Sequence, residues 1–227
     1  MCGRYVTPEE AEAERIFRVH RIGWQFLRSY NVAPSQPVPV VRMRDGEREG
    51  ITLRWGLVPF FARGVPPRYS TINAAIEKLA ASPSWRGPWA RGQRCLLPAT
   101  GFYEWHVNED GSKTPFYITC ADQPVFGLAG LWESSRADDG NVIQSCTIIT
   151  MPPNPLLAEI HNAKQRMPAI LQSQDIDTWL TGPIDQAQSA LKPYPSDSMA
   201  AWPVSSRVNS PKNNDAQLIE PLIRSSR

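Results

Sequence analysis

Histidine is nearly absent from this chain, with three in 227 residues, and its four cysteines (Cys2, Cys95, Cys120 and Cys146) include no Cys-x-x-Cys pair. Zinc and iron–sulfur sites need such clusters, so no metal is expected, and nothing implies an organic cofactor. Long hydrophobic runs are missing too. The most apolar stretch, around Pro124 to Trp132, falls far below the ~18 residues that cross a bilayer. No basic segment followed by an apolar one marks the start of the chain. The expectation is a cytoplasmic protein, nucleoid-associated if bacterial, with no membrane partner. Lysine is scarce, 5 against 19 arginines, a bias that suits planar, bidentate phosphate contacts and that a GC-rich genome also produces.

What is abundant is proline. Its 22 residues are about twice the ordinary 5% and argue against long uninterrupted helices. A hydrophobic content of 41% in 227 residues suits one sizeable core, with residues 1–223 expected as a single domain and Arg224 to Arg227 as a frayed tail. The net charge of +2 hides a gradient. Residues 1–94 carry 15 Lys and Arg against 8 Asp and Glu, whereas residues 95–227 carry 9 against 14. A basic first half points weakly toward a polyanion.

Local patterns predict an α+β fold with a curved, largely antiparallel, barrel-like sheet and short flanking helices. A capping box at Thr7-Pro8-Glu9-Glu10 opens a helix expected to run to about His20. Alternating stretches Pro37 to Met43 and Gly50 to Trp55 flank Asp45-Gly46, a hairpin signal. Further strands are expected at Cys95 to Pro98, Gly101 to Val107, Pro115 to Cys120, Val125 to Trp132 and Val142 to Thr150. Short helices are expected at Ala74 to Ala81, Pro155 to His161 and Gln174 to Leu180. Residues Thr181 to Trp202, rich in Pro, Ser and Gln, read as a looser excursion.

The chemistry begins at Met1-Cys2-Gly3-Arg4. Removal of Met1 would give Cys2 a thiol and a free α-amine on one residue, a 1,2-aminothiol with reference pKa values of ~8.5 and ~7.7–8.0. Such a group can act as an N-terminal nucleophile on an amide. It can also condense with an aldehyde to a Schiff base that the thiol closes into a thiazolidine. The bland alternative is an ordinary second residue in a disordered tip. Cys95, Cys120 and Cys146 lie in β-like apolar segments and read as small buried hydrophobes.

Three other segments keep Cys2 company. Glu104 interrupts the aromatic stretch Gly101-Phe102-Tyr103-Glu104-Trp105, where strand alternation puts it on the face of Phe102. If Phe102 is in the core, Glu104 is a buried acid suited to general acid–base work. His161 ends a short helix, whereas His20 and His106 look solvent-facing. Asn73 begins Asn73-Ala74-Ala75-Ile76-Glu77, which also fits a helix cap.

With Tyr30-Asn31-Val32-Ala33-Pro34, Arg54-Trp55-Gly56-Leu57-Val58-Pro59, Arg94-Cys95-Leu96-Leu97-Pro98, Arg166-Met167-Pro168, Pro203-Val204-Ser205 and Val208-Asn209, these segments occur in order along nearly the whole chain. The ordered set resembles the SOS response-associated peptidase (SRAP) domain family, the abasic-site processing proteins. That resemblance implies a SRAP fold and, as partner, single-stranded DNA containing an abasic site; a monomer is expected. By it, Cys2, Asn73, Glu104 and His161 are catalytic: Cys2 captures the ring-opened sugar, Glu104 acts as general acid and base, Asn73 positions the amine or the sugar, and His161 assists Schiff-base formation and reversal. The peptidase of the family name would be release of Met1.

DNA contacts are expected from Arg4, Phe60, Phe61 and Arg86, the last within Trp85-Arg86-Gly87-Pro88-Trp89-Ala90-Arg91, since cations and aromatics together hold single strands. Core packing is the alternative for the two phenylalanines and the two tryptophans. Two departures from the family pattern stand out. Ala75 occupies the place of a usual arginine, leaving Lys164 or Arg68 to supply the charge, and the segment between His161 and Arg166 is lengthened, leaving the role of Arg166 open. The rival readings are an N-terminal cysteine glutaminase, which also starts Met-Cys-Gly, a non-catalytic single-strand binding module, and an abasic-site lyase working through an amine alone.

Overall fold

The structure, a computed structural model, describes residues 2–222. The expected tail at Arg224 to Arg227 therefore lies outside the described residues. Along the chain the elements are β1 (Tyr5–Val6), α1 (Glu10–Phe17), β2 (Arg21–Gly23), β3 (Pro37–Arg44), β4 (Glu47–Trp55), β5 (Asn73–Ala75), α2 (Arg86–Ala90), β6 (Arg94–Ala99), β7 (Gly101–Val107), β8 (Lys113–Cys120) and β9 (Phe126–Arg136). They continue with β10 (Val142–Met151), α3 (Pro155–Ile160), β11 (Met167–Pro168), β12 (Ile170–Leu171), α4 (Ile176–Thr181), α5 (Ile184–Ala190) and β13 (Met199–Pro203).

Strands β10, β4, β3, β6 and β9 pair in that order, and β9 pairs back to β10, which closes a five-stranded barrel. The α+β, barrel-like architecture is thus the one expected. Closure is completed by one parallel contact, Ser145↔Arg54 and Cys146↔Trp55; the other ring pairings are antiparallel. The β3–β4 hairpin turns at Asp45 and Gly46, which both have positive φ (50° and 83°), the geometry whose twist matches the flanking strands. A second sheet runs β1-β7-β8-β13. Its alternation splits the apolar residues between two clusters: Phe102 and Ile118 join the main core, while Tyr103 and Tyr117 join a smaller one with Val6, Val204, Val208 and Leu218. Cys95, Cys120 and Cys146 are buried in the main core.

Four local expectations are corrected. Helix α1 runs from Glu10 to Phe17 and is capped by Arg18, whose φ of 48° stops it three residues short of the expected His20. Its expected cap is engaged elsewhere, since the Thr7 hydroxyl accepts from Ser29 N–H at 2.7 Å and Glu10 accepts from Phe26 N–H. No helix forms over residues 74–81. Asn73–Ala75 instead pairs in parallel with Ile148, Ile149 and Thr150, followed by one 3-10 turn at Ile76–Lys78, because the edge of β10 offers the backbone partners that a short isolated helix lacks. Residues 181–202 are not loose: they hold α5 and β13 and bury Ala187, Ala190, Leu191 and Tyr194. His106 is half-buried, with Nδ1 3.0 Å from the Glu159 carbonyl.

Candidate active site

Strand β1 lies antiparallel to β7 with Tyr5 opposite Phe102 and Val6 opposite Gly101. Tyr103 N–H donates to Arg4 O at 3.0 Å, so the register carries residues 2 and 3 toward Glu104 and Trp105. Gly101, opposite Val6, lets β7 lie close to Tyr117, since a Cβ there would be 2.3 Å from the Tyr117 hydroxyl. Tyr5 fixes the strand from below by packing edge-on against Trp55, ring centroids 5.4 Å apart. Cys2 is consequently buried, 1% exposed, and its carbonyl accepts from Asn73 Nδ2 at 2.9 Å. The Asn73 Oδ1 is also buried and has no hydrogen-bond partner among the described residues.

Glu104 shares the inward face with Phe102, as alternation requires, and is 2% exposed. Burial pushes its carboxyl up to about 7, against a smaller opposing pull from Lys164. His161 follows α3, whose first turn is fixed by Asn154 Oδ1 accepting from Leu157 N–H at 2.9 Å. Its Nδ1 lies 2.8 Å from the Arg166 carbonyl. A carbonyl only accepts, so Nδ1 carries the hydrogen, and Nε2 faces Glu104 Oε2 at 3.5 Å. Burial holds the His161 pKa below its ordinary value. The neutral tautomer can therefore take a proton from, or return it to, a carboxyl that is itself half-protonated near neutrality. The Cys2 thiol is pushed far up, first by burial and then by Glu104, so the folded site holds it as a neutral thiol, not the partly ionised one that reference values suggest.

Glu104 and His161 also line a cavity of about 260 Å³ with Trp105, Val107, Lys113, Ala163 and Lys164. The structure thus brings together Cys2, Asn73, Glu104, His161 and, at the exposed side, Lys164. The other residues singled out in the sequence sit differently. Arg4 Nη1 donates to Asn31 Oδ1 and to Val208 O, and Nη2 donates to Asn209 O, so its guanidinium fastens the C-terminal segment. Arg166 grips Glu77 with both Nη1 (2.7 Å) and Nη2 (3.1 Å) and donates to Thr150 O. Phe60 and Phe61 are exposed, 64% and 49%, and share a small cleft with Arg86. Trp85 and Trp89 are buried. Arg68 is exposed in the segment between β4 and β5. Sequence reasoning missed Lys113, whose only signal was its place opposite Val107 across a hairpin.

The chain is similar to known proteins over nearly its whole length. Residues 1–211 match the family described as SOS response associated peptidase (SRAP). Abasic site processing protein YoqW of Bacillus subtilis is 42% identical over 231 residues, covering 97% of this chain and 99% of the relative. Abasic site processing protein YobE of the same organism is 42% identical over 223 residues, with 93% and 98% covered. Among solved structures, a protein from Bacteroides thetaiotaomicron superposes with a TM-score of 0.84 at 27% identity, covering 98% of this chain and 100% of the other.

Proposed function

From the premise that this chain belongs to the SRAP family, we propose that it processes abasic sites in single-stranded DNA by capturing them covalently on Cys2. The observation that carries this reading is the convergence of Cys2, Asn73, Glu104 and His161, from four separate segments, at one largely buried site beside an open cavity. The two Bacillus subtilis relatives carry the abasic-site processing name.

In this reading Met1 is released first, which uncovers the α-amine. The amine adds to the C1′ aldehyde of the ring-opened deoxyribose, giving a carbinolamine. Glu104, as a neutral acid, protonates the departing hydroxyl; water leaves and an iminium forms. Cys2 Sγ then attacks C1′, and its proton returns to the Glu104 carboxylate, closing a thiazolidine with net loss of one water. Neutral His161 holds Glu104 through Nε2 and serves as the alternative proton acceptor. Asn73 fixes the Cys2 carbonyl with Nδ2, which leaves the buried Oδ1 to receive a hydrogen from the amine or from a sugar hydroxyl. Ring closure matters because a bare iminium acidifies the C2′ hydrogen and invites β-elimination, which would break the strand.

The direct test mixes Met-free protein with a single-stranded oligonucleotide bearing one abasic site, beside a Cys2→Ser control. The expected result is a heat-stable adduct of the wild-type protein alone, formed without reductant, at the summed mass less one water. A nicked strand without adduct would replace the proposal by an amine-only lyase. Neither product would leave a binding module or an N-terminal cysteine glutaminase. No helix of the described residues is long and apolar enough to cross a membrane, and we place the protein, as a monomer, with the DNA.

A further inference from the structure

The cations near the catalytic residues fall into two groups. Arg4 and Arg166 have their donors taken up by backbone carbonyls, Asn31 and Glu77. Arg54 donates to Gly56 O and Ser35 Oγ. These guanidinium forks hold the protein to itself. Lys113 and Lys164 differ from them: both are exposed, both line the cavity of Glu104 and His161, and neither side chain makes an ion pair or hydrogen bond among the described residues.

Their placement is built by two elements that grip the end of β7 from opposite sides. Lys113 opens β8 directly opposite Val107. On the other flank, Asn162 Oδ1 accepts from Val107 N–H at 3.0 Å while its Nδ2 donates to Val107 O at 2.9 Å. The lengthened turn that carries Lys164 is also tied internally. Gln165, with φ of 51°, donates through Nε2 to Ala158 O and Asn162 O, and Lys164 N–H donates to His161 O. The turn thus delivers one lysine to the cavity on a fixed backbone, and the hairpin delivers a second to the same cavity.

We propose that Lys113 and Lys164 form a two-point clamp for the phosphodiesters on either side of the abasic sugar, acting as positioning residues. The inference rests on the functional reading above and names the groups that seat its substrate. Ammonium groups on flexible stems suit this task, because a single strand presents its phosphates at no fixed angle and a point charge does not demand a planar match. The buried Glu104–His161 pair at the base of the cavity would then meet the sugar lying between the two held phosphates.

The test measures noncovalent binding of a single-stranded oligonucleotide carrying a tetrahydrofuran abasic analogue, which has no aldehyde, by fluorescence anisotropy across a salt series. Lys113→Gln and Lys164→Gln should each make the log–log salt slope shallower by about 0.7, and the double variant by about 1.4, as expected for one and two lost single-strand phosphate contacts. Lys→Arg variants should restore most of the slope. With natural abasic DNA, the variants should need a higher oligonucleotide concentration to reach a given rate of adduct formation, and the Lys→Arg variants should recover most of that loss. A double variant with the wild-type slope overturns the clamp while leaving the crosslinking reading intact. Variants that lose slope in a protein making no adduct retain the clamp and remove that reading. No binding of single strands by the wild-type protein overturns both.

Discussion

Replacing Glu104 with Gln tests the central electrostatic feature of the site without any DNA. Burial lifts the folded-state pKa from an ordinary 4.5 to about 7, so between these values the folded protein holds a proton that the unfolded chain has released. Stability must therefore fall as pH rises from about 4.5 and level off above about 7, with each pH unit of displacement carrying about 1.4 kcal/mol. Between pH 5 and pH 8 this amounts to a loss of about 2 to 3 kcal/mol that Glu104→Gln, permanently neutral and of the same shape, does not suffer. His161 contributes the opposite slope. Its depressed pKa makes it lose stability as pH falls below about 6.5, but it is present in both proteins and largely cancels in the comparison. Urea denaturation of both proteins at pH 5 and pH 8 gives the result directly. The stability difference, variant minus wild type, should grow by about 2 to 3 kcal/mol at the higher pH. Growth of less than about 1 kcal/mol would show that Glu104 is an ordinary ionised partner of a charged His161, and the proton cycle proposed for it would fail.

Two further outcomes follow from the geometry. Asn73→Ala removes the donor to the Cys2 carbonyl, so it should cost about 1 to 2 kcal/mol of stability. It should also slow adduct formation at saturating DNA while leaving the dissociation constant for a tetrahydrofuran oligonucleotide within about twofold; an unchanged rate would remove Asn73 from the reaction. Gly101→Ala drives a methyl group into the Tyr117 hydroxyl, which donates to Thr100 O. The expected loss is about 1 to 3 kcal/mol, read as a lower Tm, and an unchanged Tm would refute the close approach of β7 to Tyr117.

The parts of this protein legible in the sequence are those decided by neighbours along the chain. Asp45-Gly46 announces its turn because both positions need positive φ, and alternation ties the fate of Glu104 to that of Phe102 on the same face, a condition that the burial of Phe102 in the structure fulfils. Asn73 shows where such reasoning stops. Its local context fits a helix cap, but the strand that claims it, β10, lies 75 positions away at Ile148. The arginines show the same limit. A sequence displays the charge of Arg4 and Arg166 without displaying the carbonyls and the carboxylate, 204 and 89 positions distant, that occupy their donors. Residues 181–202 misled by composition, because alanines and one tyrosine can fill a core cleft without a conspicuous apolar run.

The Arg4–Val208 tie also orders events in time. Cys2 leaves the ribosome first, yet the segment that Arg4 fastens is made 204 residues later, roughly 10 to 40 s at ordinary elongation rates. Throughout that interval the N-terminal strand has β7 and Trp55 to pack against once they are made, but it lacks the clasp at Val208 and Asn209. One of the last segments to be made is thus what clasps the first strand, so the two ends of the chain are locked together only when synthesis is nearly complete.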